Sequence, residues 1–572
     1  MGLIPFCPKR NSKYPFFTWG DANSLMILIF DVLGTFMSLV GGAAFDIPGI
    51  LQLDADYSQA FREMVFGKIC PGVAFALLWG NVWYAWLAHR LAAHEGREDV
   101  TALPYGLTTS GGIAVVFSVM VPAAFSVKFA NFDGTNITIS PQEYADQVWA
   151  RGCTANFICG IIECCGALGW RYPGQMIELI QKHCLSKAAL FCPLCGVGFC
   201  WLAMRPFVSA NFHPVLFILP FALVFTGFYA EDGTGVYGKL PAAVAMVGIG
   251  TIFRWSGADR MSYEIPEGLA DSIGQTGMFI GAGLTGFSEV GSILPVVFPV
   301  AFANAVETFE NVELAADAGD RYPVGETMLV DGCGTMLGAF CGSVFPTTVY
   351  MGHCRHKANG ATAGYSFVNG VFYFLLLMIG AAQTINAIID PISTGLILMA
   401  IGLMVVQHGF EVSVSRHYPA ILIGLMVVLC DYMRVQVLFW TPDVMKFGSL
   451  NPEHMFLTAI KNVGAGSGIL LSMFLTQLVC DLIDNYYSRA SCYSLFLMFL
   501  SLFGFIHGNN KTDHNGETIE YSSATIAIMD PEEQNEGWRY TVAYAILFGF
   551  CLAHWVVQKF TKLIAPPICD GG

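Results

Sequence analysis

Apolar runs of about 20 residues, the length needed to cross a bilayer as a helix, follow one another along almost the whole chain. Two of them are interrupted at matching places. With 55% of its 572 residues hydrophobic and 12% charged, the chain falls well below the roughly 25% charge of a typical soluble domain. Transmembrane strands would show short alternating segments instead of unbroken runs. The expected fold class is therefore an all-α polytopic membrane protein.

The runs fall near 24–43, 70–92, 103–125, 152–170, 187–204, 213–230 and 240–256. They resume near 289–309, 326–342, 344–358, 366–385, 387–407, 418–434 and 465–483, with two more near 491–507 and 539–558. The count reads as fourteen plus two. With the amino terminus inside, Lys9, Arg10, Lys13, Arg90, Arg97, Arg171, Lys182, Arg355, Lys357, Arg416, Lys559 and Lys562 gather on one side, as the positive-inside rule asks. The sequons at Asn136 and Asn510 then fall outside. No cleavable leader is expected, because the first 21 residues are polar and basic before the first apolar run.

The interruptions read TALPYGLTTSGG (101–112) and VFPTTVYMGH (344–353). Each would be the third span of a seven-span half, and matched breaks in two halves point to an inverted-repeat transporter. A broken span frees backbone amides, which in lipid need protein, a cavity or a ligand as partner. The expected organisation is an N-terminal segment (1–23), a first repeat (24–258), an extramembrane loop (259–288), a second repeat (289–483) and extra C-terminal spans with a tail (484–572).

Acids inside spans are costly and mark candidate functional sites. In the eighth span Asn304, Glu307 and Asn311 share one helical face, with Glu310, Glu313 and Asp317 in a second row. Asp31, Glu163, Asp331 and Asp390 are further acids within spans. Asp31 lies in the repeat mate of the eighth span. Each of these four is expected to be a satisfied structural acid before a coupling residue, and Asn81 a helix–helix hydrogen bond before a ligand.

The runs FPTTVYMGHCRHKANGATAGYS (345–366), REDVTALPYG (97–106) and ENVELAADAGDRYPVGETMLVDGCGTMLGAFCGS (310–343) resemble the xanthine/uracil/vitamin C permease superfamily, in a branch with a PTTVY-x-GH run. The resemblance implies two inverted seven-span repeats, a core and a gate domain, and strand-plus-half-helix elements in spans 3 and 10 facing each other across the substrate. VETFEN (306–311) is similar to the span-8 motif whose Glu grips the base, which points to Glu307; the closer branch points to Glu313. Where characterised relatives carry Glu or Gln at the start of the span-10 half-helix, this chain has Tyr350, Gly352 and His353.

A planar heterocycle needs a carboxylate acceptor, amide donors and an aromatic face. Glu307, the segments around Thr108, Thr109, Thr347, Thr348, Gly352 and His353, and Tyr105 or Tyr350 would supply them. Glu307, Glu313 and Asp31 are the coupling candidates. The expectation is a non-enzymatic secondary transporter, multi-pass in the plasma membrane, carrying a nucleobase-like purine or pyrimidine by proton symport, with sodium open as the coupling ion. Half-helix N-termini also suit anions, so a sulfate- or bicarbonate-type carrier or exchanger is the alternative. Lipid is the expected surrounding, a homodimer an open assembly, and nucleic acid no partner for a chain of net charge −15. No metal or cofactor is expected. Most of the 18 cysteines lie within apolar runs, where they act as small hydrophobes, and Cys192 and Cys195 have no second pair at zinc spacing. A membrane enzyme using His89 and His94, or His353 and His356, and a passive channel are the competing classes.

Overall fold

The computed structural model describes residues 4–6, 11, 13–132, 137–168, 185–229, 242–257, 276–277, 279–287, 290–350, 352–440, 455–464, 468–503, 506–507, 510–512, 518–521, 537–561 and 563–568. The chain is mostly helical. The helices are α1 (Trp19–Gly41), α2 (Ala55–Glu95), α3 (Thr109–Ala114, continued through Val115–Met120 into Val121–Ala130), α4 (Pro141–Leu168), α5 (Lys187–Ala210), α6 (Pro214–Val224) and α7 (Ala242–Trp255). After them come α8 (Val290–Asp317), α9 (Val324–Phe340), α10 (His353–Ala358), α11 (Gly364–Met378), α12 (Ala382–Ile388), α13 (Pro391–Glu411), α14 (Tyr418–Trp440), α15 (Met455–Gly464), α16 (Gly468–Ile483), α17 (Tyr487–Leu502) and α18 (Gly537–Phe560). Strand β1 (Tyr105–Leu107) precedes α3 and β2 (Thr347–Val349) precedes α10, while β3 (Asn510–Thr512) and β4 (Thr518–Tyr521) form a separate hairpin.

Four helical runs contain a π turn two residues ahead of a proline: Gly42–Asp46 before Pro48, Val65–Ile69 before Pro71, Val115–Met120 before Pro122, and Gly198–Met204 before Pro206. The reason is local. Proline has no N–H to give and its ring collides with the carbonyl four residues earlier, so the preceding turn widens and the helix continues. Interior prolines therefore shape these spans without ending them. At 101–112 and 344–353 the chain takes the other course and leaves the helix.

The ends of the helices are built from the sequence in recognisable ways. Thr18 and Asp21 form a capping box on α1, with the Thr18 hydroxyl accepting from Asp21 N and the Asp21 carboxylate accepting from Thr18 N at 2.7 Å. The same buried carboxylate takes Thr362 N, Thr362 Oγ1 and Tyr365 N, tying α1 to the start of α11. Helices α4 and α9 cross closely at Gly160 and Gly332. A Cβ on Gly160 would lie 2.6 Å from the Gly332 carbonyl, and one on Gly332 2.8 Å from the Gly160 carbonyl.

The described helices separate into two compact units: residues Met1–Met176 with Leu202–Ile401, and Ile177–Trp201 with Gly402–Gly572. These divisions differ from the sequence halves because the first unit draws on both, through the pairing of β1 with β2. In the second unit α5, α14 and α16 meet around Cys192, whose thiol contacts Ile421 O and Ser472 Oγ, both at 3.4 Å. Helix α18 stands apart in character. Only 11% of its most apolar window is buried, against 83% for Lys187–Ala210, so its Trp538, Val542, Ile546 and Phe550 face outward at helical spacing. Among the described residues, five helices are long and apolar enough to cross a membrane, and the protein is a multi-pass membrane protein. The expected sequon at Asn136 and the side chain of Glu310 lie outside the described residues.

Candidate functional site

The two breaks pair with each other. Strands β1 and β2 run antiparallel with Tyr105 opposite Val349, Gly106 opposite Thr348 and Leu107 opposite Thr347. The pair is extended at both ends by proline carbonyls: Tyr350 N donates to Pro104 O at 2.8 Å and Thr108 N to Pro346 O at 3.0 Å. The relation is a local two-fold, the geometry that inverted repeats require. Proline suits these edges because it needs no ladder donor and holds the preceding residue extended. All three residues of each strand are buried, so this backbone is satisfied by protein, as the membrane demands. Gly106 leaves the space into which the Tyr350 ring packs, and a Cβ there would strike that ring.

A polar face of α8 holds the pair. Asn304, Thr308 and Asn311 point at it. Asn304 Nδ2 donates to Glu163 Oε2 at 3.1 Å and Thr347 O at 3.4 Å, and Asn311 Nδ2 to Val349 O at 2.6 Å. The Thr308 hydroxyl meets Glu163, Asp331 and Thr348. Asp331 accepts Val349 N at 3.2 Å and the Tyr84 hydroxyl. Thr308 was not singled out by sequence reasoning, because a threonine in an apolar helix carries no signal until its neighbours are known. Glu163 and Asp331, by contrast, stood out as acids.

The expected binding residues divide into two groups. Tyr105 donates to Thr347 Oγ1 at 2.6 Å, Thr347 also meets Thr335 at 3.0 Å, Thr348 meets Thr308, and Thr108 donates to Asn304 Oδ1. These hydroxyls are buried and engaged with one another. His353 is buried too, with Nε2 3.0 Å from Asp320 Oδ2, and Gly352 supplies the left-handed φ of 103° before α10. Glu313 is exposed on α8. Glu307 is half-buried, within electrostatic reach of Tyr350, Glu163 and Asp331.

The second group surrounds the start of α3. Asp31 and Thr35 lie one turn apart on α1, and Thr35 Oγ1 is 3.0 Å from Thr109 Oγ1. Among the described residues, Asp31 Oδ1 and the Tyr350 hydroxyl are buried polar atoms without a hydrogen bond of good geometry, the Tyr350 hydroxyl lying close to Thr35 and the backbone of Leu107. Arg355 acts electrostatically on Asp31. Thr108, the N-cap residue of α3, makes no side-chain cap, because its hydroxyl is turned to Asn304. The first amides of a helix have no intrahelical acceptor. Uncapped amides, an open phenol and an open carboxylate oxygen thus converge where β1 gives way to α3.

Beside α10 lies a charged cluster. Buried Asp320, in the α8–α9 loop, accepts from Lys357 Nζ at 2.6 Å, Arg97 Nη2 at 3.0 Å and Thr101 N at 3.1 Å, besides His353. Burial pushes the Asp320 carboxyl up, but the hydrogen bonds from His353, Lys357 and Thr101 outweigh it and hold the group below the ordinary carboxylate range. Hydrogen bonding by Arg97 likewise holds Asp99 below that range.

No protein-family model and no curated protein matches the chain in sequence, so the permease resemblance gains no support from either. Solved structures are similar at low identity. The transmembrane domain of a cyanobacterium bicarbonate transporter, BicA, is 13% identical with a TM-score of 0.44, covering 74% of this chain and 97% of that one. SLC26A9 is 11% identical with a TM-score of 0.41, over 74% of this chain and 64% of that one. The murine solute carrier 26 family member A9 anion transporter, inward-facing, is 12% identical with a TM-score of 0.36, over 80% and 69%.

Proposed function

We propose that the protein is a secondary active transporter that moves a small anion together with protons, and not an enzyme. The observation that carries this reading is the uncapped start of α3 beside the open Tyr350 hydroxyl and Asp31 carboxylate. Helix N-termini favour negative charge through their free amides and the aligned peptide dipoles. An ionised Asp31 at the same spot would repel an anion. The anion is therefore accommodated when the acids around it carry protons, which links its movement to the proton gradient.

A neutral nucleobase is the second reading. It is favoured by one observation, that half-buried Glu307 lies within electrostatic reach of the Tyr350 hydroxyl, which would put a carboxylate acceptor and an aromatic ring in the same neighbourhood. Uptake into proteoliposomes holding the full-length protein separates the two, with labelled bicarbonate, sulfate, uracil and xanthine supplied under an inward proton gradient. Accumulation of an anion above equilibrium supports the proposal. Accumulation of uracil or xanthine alone moves the assignment to the second reading, and flux that never exceeds equilibrium favours a channel.

A further inference from the structure

The Thr308 hydroxyl touches three oxygens: Asp331 Oδ2 at 2.8 Å, Thr348 Oγ1 at 2.9 Å and Glu163 Oε1 at 3.2 Å. A hydroxyl has one hydrogen to give and two lone pairs to receive with. Two of the three contacts must therefore bring their own hydrogen. Thr348 can bring one. The other is a full hydrogen bond only if a carboxyl group brings it. With both acids ionised the single Thr308 hydrogen would be shared between two carboxylates, so the arrangement favours a proton on one of them.

The surrounding donors decide which acid holds the proton. Asp331 is served by the Tyr84 hydroxyl on Oδ1 and by Val349 N on Oδ2, and it makes the shorter contact with Thr308. Apart from Thr308, Glu163 has only Asn304 Nδ2, on Oε2, among the bonds shown by the described residues. The charges that act on it most are Asp331 and Glu307, both acids. We infer that Glu163 is a neutral carboxylic acid donating to Thr308 Oγ1, and that it is the proton-carrying residue through which proton occupancy is read by the β1–β2 pair.

The connection to the strands is direct. Thr308 meets Thr348, Asp331 holds Val349 N, and Asn304 bridges Glu163 to Thr347 O and to Thr108. Loss of the Glu163 proton would set two ionised, buried carboxylates against one hydroxyl, an arrangement disfavoured by both repulsion and desolvation. The observed packing of β2 on α8 and α9 is therefore the protonated form. The other titratable groups facing the pair are Tyr84 from α2, Tyr105 from β1, Glu307 from α8 and Cys333 from α9, with Cys159 and Cys164 on α4 itself. Among those that act on Glu163 and Asp331, none is cationic. The coupling role rests on the transport reading above; the position of the proton does not.

Infrared spectroscopy of the full-length protein in lipid tests the position without any substrate. Wild type at neutral pH should show the carbonyl band of a protonated carboxylic acid in a dry surrounding, slow to shift in heavy water. Glu163→Gln should abolish that band and Asp331→Asn should leave it. In proteoliposomes Glu163→Gln, which mimics the neutral acid, should keep exchange of substrate across the membrane but lose its dependence on the pH gradient. Absence of the band in wild type overturns the assignment without recourse to a variant, and so does its persistence in Glu163→Gln. If the band behaves as stated and no labelled solute is accumulated, the proton assignment stands and the transport reading falls.

Discussion

The two breaks begin alike and continue differently. Each is a proline, a three-residue strand and a helix, and the strands pair with each other about a local two-fold. Beyond β1, however, the helix α3 runs on to Ala130 and starts among hydroxyls without a salt bridge among the described residues, with Thr109 against Thr35 and Thr108 turned to Asn304. Beyond β2, α10 has six residues and is fastened by charge, through Lys357 and His353 on Asp320. The same motif is thus fixed by charge in one copy, and in the other is the end that the proposed function assigns to the ligand. Symmetry of the backbone does not carry over to the side chains that complete it.

The largest effect expected from this contrast is at the fixed end. Asp320→Ala removes the shared acceptor of Arg97, Lys357 and His353, and breaking a buried pair costs about 3–5 kcal/mol. Because Arg97 and Lys357 are partly exposed and keep Asp99, the loss should fall toward the lower end of that range. Thermal unfolding in detergent should show a fall of that order, whereas a similarly large loss from Thr109→Val would reverse the roles of the two ends.

The pH response sharpens the same contrast. Asp320 and Asp99 are held below their ordinary range, so the stability they contribute is present above the unfolded value and lost as pH falls through the folded one. Wild type should therefore lose stability below about pH 4, and Asp320→Asn should weaken that dependence. A melting temperature equally steep in both forms over this interval would contradict the assignment.

How much of this was legible in the sequence depended on whether the signal was local. The breaks at 101–112 and 344–353 could be read from proline, hydroxyls and glycine alone. That they oppose each other is implied by the family resemblance, whereas their direct pairing as strands is seen only in the structure. Helix ends such as Thr18–Asp21 and the π turns ahead of Pro48, Pro71, Pro122 and Pro206 follow from rules within one turn. The site was less legible. Helical spacing placed Asn304, Glu307 and Asn311 together, yet it is Asn304, Thr308 and Asn311 that face the strands, because the curvature and partners of α8 fix its phase. Tyr105 is expected to face the ligand through its ring, and Thr108, Thr347 and Thr348 through the amides of their broken segments. Only the approach of α8, α9 and the opposite strand shows their hydroxyls already engaged. The joining of Glu163 to Asp331 through Thr308 depends on three separate helices and leaves no trace in any one segment.

A smaller effect is expected at the ligand-facing end. Thr35→Val removes the contact with Thr109 and should cost about 1 kcal/mol, the ordinary worth of one hydrogen bond. A denaturation midpoint unchanged by Thr35→Val would mean that the two hydroxyls are joined through a ligand or water and not to each other.

The most direct test asks which groups meet the transported solute. The Tyr350 hydroxyl and Asp31 Oδ1 make no hydrogen bond of good geometry among the described residues. Tyr350→Phe should therefore leave folding intact while weakening equilibrium binding of the accumulated solute by about tenfold or more, the equivalent of about 1.4 kcal/mol. Asp31→Asn, which keeps a neutral group there, should bind at least as tightly as wild type and lose the pH dependence of binding. Glu313→Gln, on the exposed side of α8, should bind like wild type. Wild-type binding by Tyr350→Phe and an unchanged pH dependence in Asp31→Asn, with affinity lost in Glu313→Gln, would place the solute elsewhere and contradict a site at the start of α3.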